Sequence, residues 1–120
     1  MPDITDHHDG QGLNESIVIR PLDEVGPGGA HHLYVAEIDG QEVARVQFQC
    51  GPRNEPGSTA GATHMAILAM LLDPLRAFQR GPFANRETAL AITDLESAMN
   101  WLHKRVRDRA KRGVLGQSKA

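Results

Sequence analysis

The sequence predicts an α+β fold, a small antiparallel β-sheet followed by a two-helix antiparallel hairpin, expected to be oligomeric. Three features carry this reading. Two β-prone runs flank Asp39-Gly40, a turn sequence separates two helical patterns near residue 80, and a heptad-like apolar seam runs along the second of them.

The elements follow in chain order. Residues 1–14 lack periodicity and are rich in Asp, Gly and His, so they are expected to be disordered. The β-sheet region spans 15–58 and the helical hairpin 59–120, with 15–120 expected as one compact domain. Its first strand is placed at Ser16–Leu22 on the strength of Ile17, Val18 and Ile19. The glycine-proline loop EVGPGGA ends it. The next strands are Leu33–Ile38 and Gln41–Cys50, joined by Asp39-Gly40, a pair suited to the positive φ of a two-residue hairpin turn. Alternation of Val46, Phe48 and Cys50 with Arg45, Gln47 and Gln49 predicts one buried and one wet face.

After the loop GPRNEPGSTAG, a first helix is expected from a Thr63 N-cap to about Gln79. Pro74 either kinks it or, with Asp73 as cap, restarts it. RGPF supplies the turn, and Asn85 caps a second helix ending near Gly113. Ile92, Leu95, Met99, Leu102 and Val106 form its seam, read as core.

Composition bounds the function. A 120-residue chain hides only about 60–70% of its unfolded surface, so its core is thin and self-association is favoured. A single cysteine, Cys50, excludes an internal disulfide and fits a reducing compartment. The acidic start is unlike a secretory leader, and no apolar run nears the roughly 18 residues of a membrane span; a soluble intracellular protein is expected. Residues 1–73 hold eleven acidic and three basic side chains, whereas residues 74–120 hold four acidic and ten basic. That asymmetry points to an anionic partner for the second half.

The basic residues concentrate in NWLHKRVRDRAKRGV, where Lys104, Arg105, Arg107, Arg109, Lys111 and Arg112 are opposed only by Asp108. Trp101, Arg105, Arg109 and Arg112 recur at helical spacing and share one face. Guanidinium groups bind phosphate in bidentate fashion and an indole stacks on a base. Two other readings stay open: basic residues complementing the dipole of a helix end, and a helix that grips nucleic acid. Phe78 and Phe83, near the turn, could stack on a ligand brought by a neighbouring copy. His7-His8 and His31-His32 are read as no metal site, since adjacent histidines diverge and no Cys or Asp set accompanies them. No nucleophile elbow or phosphate loop is present, so enzyme is the least supported class and no cofactor is expected.

The segments FQCGPRNEPGSTAGATHMAIL and LRAFQRGPFANRETALAITDLESAMNWLHKRVRDRAKRGVLG, within residues 48–118, resemble the phage Thoeris anti-defence family of the first type. That family shares its hairpin domain with the second-type anti-CBASS proteins. The resemblance implies a sheet joined to a helical hairpin, assembled as dimers or as trimers of dimers. It implies sequestration, without cleavage, of glycocyclic ADP-ribose messengers, and for some members of cyclic di- or trinucleotides at separate sites. It places Phe78 as the stacking residue and Arg105 and Arg109 on phosphates, with Arg53 added from the sheet side. Thr88 stands where the family usually has Asn, and Pro74, Asn85 and Val106 also depart from its pattern.

The expected function is therefore an anti-defence sponge for a cyclic nucleotide signal, acting in the cytoplasm of the infected bacterial cell, without membrane or nucleic-acid partners. The alternative is a small nucleic-acid-binding regulator using the same basic helix.

Overall fold

Residues 4–51 and 57–113 are described by a computed structural model, which divides the chain into two compact units, residues 1–61 and 62–120. The first holds an antiparallel sheet of β1 (Val18–Pro21), β2 (Leu33–Ile38) and β3 (Gln41–Gln47), in that order. The second holds α1 (His64–Gln79) and α2 (Arg86–Lys111) packed on each other. The expected α+β class, a small antiparallel sheet followed by a two-helix hairpin, is the one observed.

The turn between β2 and β3 sits where the sequence puts it, with Asp39 at φ 50° and Gly40 at φ 77°. Beyond it Ala36 pairs with Ala44 but Glu37 with Glu42, leaving Val43 as an extra, bulged residue on β3. β1 is shorter than expected because local bonds compete for its start. The Ile17 N–H turns back to the Asn14 carbonyl (3.0 Å), and its own carbonyl accepts from His7 Nε2 at 2.7 Å. β3 also ends early: the Phe48 N–H still reaches the His32 carbonyl, but Cys50 pairs with Thr59 instead. The tail of that loop returns tightly, for a Cβ on Gly61 would lie 2.6 Å from the Gln47 carbonyl oxygen.

The expected division of the sheet into an apolar buried face and a polar wet face does not hold. Val46, Gln47, Phe48, Gln49 and Cys50 are all half-buried. Val35, only 3% exposed, pairs with Arg20 and Arg45, on the side read as wet. Cross-strand partners share a face, and long arginine stems can cover an apolar neighbour while their heads stay in water. Ion pairs hold both heads, Arg20 to Glu37 at 2.7 Å and Arg45 to Glu42 at 2.6 Å.

Residues 4–17 hold no helix or strand, yet they are hydrogen-bonded. Ile4 bridges to Ile19 on the outer edge of β1. The Glu15 carboxylate accepts from the N–H groups of Asp9, Gly10 and Gly12 at 2.6, 3.1 and 2.6 Å. Those donors, Gly10 foremost, hold its carboxyl down at about 2.

In the helical unit Thr63 Oγ1 caps α1 by accepting from Ala66 N–H at 3.0 Å. Pro74 does not divide the helix, so the restart at Asp73-Pro74 is not taken. Leu72, 2% exposed, is the buried centre of α1. The α2 seam of Ile92, Leu95, Met99, Leu102 and Val106 is half-buried throughout, and Arg76 of α1 reaches Glu96 of α2 at 2.9 Å.

Candidate anionic-ligand site

The last turns of α2 are built for display. Their apolar positions, Leu102 and Val106, turn inward at helical spacing, so the residues between them must turn out. Trp101, Lys104, Arg105, Asp108, Arg109 and Arg112 thereby line one shallow, open groove of about 380 Å³. The indole is 70% exposed, so Trp101 is not a core residue. Neither Trp101 nor the guanidinium groups of Arg105 and Arg112 has a side-chain partner among the described residues. Lys104 Nζ holds Asp108 Oδ2 at 2.7 Å. That bond, followed by the charges of Lys104, Lys111 and Arg107, lowers the Asp108 carboxyl below its ordinary value. The groove thus combines cations, an aromatic plane and one firmly ionised carboxylate, a set suited to a phosphate-bearing aromatic ligand.

A second group of predicted residues lies at the turn. Asn85 Oδ1 caps α2 by accepting from the Thr88 N–H at 2.7 Å, so Thr88 is fixed in the first turn. Gln79 closes the turn, donating to the Asn85 carbonyl and accepting the Asn85 N–H, both at 2.9 Å. Phe78 and Phe83 meet edge to face with centroids 6.4 Å apart, and are 51% and 72% exposed.

The structure therefore brings Trp101, Arg105 and Arg109 together but keeps Phe78 and Thr88 apart from them. Both Thr88 and Arg105 lie on α2, and at about 1.5 Å per residue the intervening helix is about 25 Å long. No single small ligand can span that within one chain. Arg53 lies outside the described residues. The linear reading passed over Lys104 and Asp108 as groove residues, although their spacing from Trp101 and Arg112 was a signal, and it passed over Gln79, whose spacing from Asn85 carries none. Among the described residues no group of three His, Cys, Asp or Glu is placed to hold a metal ion, and no helix is long and apolar enough to cross a membrane. His31 and His32 instead flank Asp23, whose carboxylate accepts the N–H groups of His32 and Leu33 at 2.8 and 3.1 Å.

Fold and groove together define an α+β protein whose helical hairpin presents a cationic, indole-bearing face to solvent. Within that class the chain belongs to the Acb2/Tad1 hairpin-domain family, whose model matches residues 40–107. It is similar to "Thoeris anti-defense 1" of Bacillus phage SBSphiJ7, being 40% identical over 91 residues that make up 76% of this chain. The chain spans 63% of the length of that relative.

Proposed function

We propose that this chain is an anti-defence sponge that captures a glycocyclic ADP-ribose messenger and holds it intact in the cytoplasm of the infected cell. The observation that carries this is the groove on α2, where the exposed Trp101 ring and the Arg105 guanidinium, without a side-chain partner among the described residues, share one helical stripe. An exposed tryptophan beside arginines offers a stacking plane next to phosphate donors. The name of the phage relative supports the biological setting.

A sponge must outbind a receptor, and nanomolar affinity is about −12 kcal/mol. An open groove on one helix cannot reach that, because water competes for every contact. The complete site accordingly forms between copies, as in a dimer or trimer of dimers. The Phe78–Phe83 pair and Thr88 of one chain then close over the Arg105 and Arg109 face of another. This accounts for two ligand-suited groups held at opposite ends of α2. Arg53 would join that ADP-ribose site from the sheet side, and cyclic di- or trinucleotides would occupy separate sites.

The groove residues support capture without chemistry. Arginine remains protonated and is a poor base. Asp108 is tied to Lys104, which favours its ionised form. Calorimetric titration with purified glycocyclic ADP-ribose tests the proposal at two salt concentrations. Saturable binding with weak salt dependence supports an enclosed small-molecule site. Absent binding to the messenger, with binding to oligonucleotides that falls steeply with salt, would favour the nucleic-acid reading.

A further inference from the structure

Asp108 is the odd member of the groove. Every other polar residue lining it, Lys104, Arg105, Arg109 and Arg112, is a cation that only donates. Helix stability does not explain a carboxylate there. Asp108 lies in the closing turns of α2, where the helix dipole disfavours negative charge. Aspartate is a weak helix former. Its pairing with Lys104 also runs in the less effective order, with the cation on the N-terminal side. The pair is about half exposed, a setting in which such bridges add little.

Asp108 has one property its neighbours lack. Only Oδ2 is engaged, by Lys104, so Oδ1 remains an acceptor without a partner among the described residues. Cations and an indole alone would take many polyanions, because they read phosphate and an aromatic plane but no sugar hydroxyl. A ribonucleotide messenger differs from pyrophosphate and DNA in presenting sugar hydroxyl donors beside its phosphates. A carboxylate is suited to read such hydroxyls, and its charge repels ligands that offer only anionic oxygen, so attraction and repulsion both contribute to selectivity.

We infer that Asp108 is the specificity residue of this groove: its open carboxylate oxygen accepts a ribose hydroxyl of the captured messenger, and its charge turns away phosphate-only anions. The inference rests on the reading of the groove as a nucleotide site. Lys104 positions the carboxylate by holding its other oxygen.

The test compares glycocyclic ADP-ribose with inorganic pyrophosphate by calorimetry, on the full-length wild type, Asp108→Ala and Asp94→Asn. Asp94 is an exposed carboxylate on α2 that does not line the groove, so its variant should match wild type with both probes. Asp108→Ala should bind the messenger at least tenfold more weakly and pyrophosphate as tightly or more tightly, with a thermal midpoint no lower than that of wild type. An unchanged preference between the probes, or an equal loss of both, overturns the role given to Asp108. A wild-type protein that takes neither probe overturns the nucleotide reading of the groove itself, and the inference with it.

Discussion

Arg105 presents its guanidinium to the groove without a side-chain partner among the described residues, and that isolation makes its contribution measurable. Replacing it removes no contact that the described fold uses, so Arg105→Ala should leave stability within about 0.5 kcal/mol. Loss of a charge-assisted phosphate contact in an enclosed site costs about 2–5 kcal/mol. Messenger affinity should therefore fall more than tenfold by calorimetry. Arg107 is exposed and does not line the groove, so Arg107→Ala should retain wild-type affinity; equal damage from both would refute the face argument. Trp101→Ala should weaken binding by about 1–3 kcal/mol if the indole stacks on a base, again without loss of stability. Trp101, Arg105 and Arg109 were legible in the sequence because a single helix converts linear spacing directly into a face. Asp108 was visible there as a break in a basic run, at helical spacing from Arg112. Its importance depends on which of its oxygens is engaged, which spacing does not encode.

At the scale of elements, local hydrogen bonds decide where structure starts and stops. Thr63 and Asn85 were legible as caps because a cap needs only its own side chain and an N–H three residues on. Asn85→Ala should cost about 1 kcal/mol, read as a lower denaturation midpoint. The strand ends were less legible, because Ile17 and Cys50 are claimed by partners distant in sequence, His7 and Thr59. The buried side of the sheet was misread for a related reason. Alternation marks apolar residues, whereas Val35 is flanked by Arg20 and Arg45, whose alkyl stems count as polar in any pattern. The Glu15 turn gives a pH prediction. Its folded pKa of about 2 lies below the ordinary 4.5, so its stabilisation is fully present above about 4.5 and fades as pH falls towards 2. Amide protection of Gly10 and Gly12, measured by NMR, should decline across that window. In Glu15→Gln it should be weak at every pH.

For the whole molecule the governing fact is the shortage of interior. Among the described residues only Pro21, Val35 and Leu72 are buried, while Met70, Leu71, Phe78, Phe83, Leu90 and Trp101 of the helical unit are each at least 47% exposed. So much apolar surface is costly for a monomer to leave in water. Light scattering at micromolar concentration should give a mass of at least twice the 13.1 kDa of one chain. A single-chain mass would remove the interprotomer site and with it the route to high affinity. A thin core was legible from length and composition, but the faces that associate were not. They depend on how α1 and α2 pair, and on the separation along α2 of the Thr88 end from the Arg105 end.

The central claim, that the messenger is captured and not consumed, is tested most directly by releasing it. Glycocyclic ADP-ribose is incubated for hours with excess protein, the mixture is heat-denatured, and the supernatant is quantified by mass spectrometry. The account predicts that free messenger disappears before heating and is recovered in full, chemically unchanged, afterwards. Recovery of a linear ADP-ribose product in proportion to protein and time would contradict it and make the chain an enzyme.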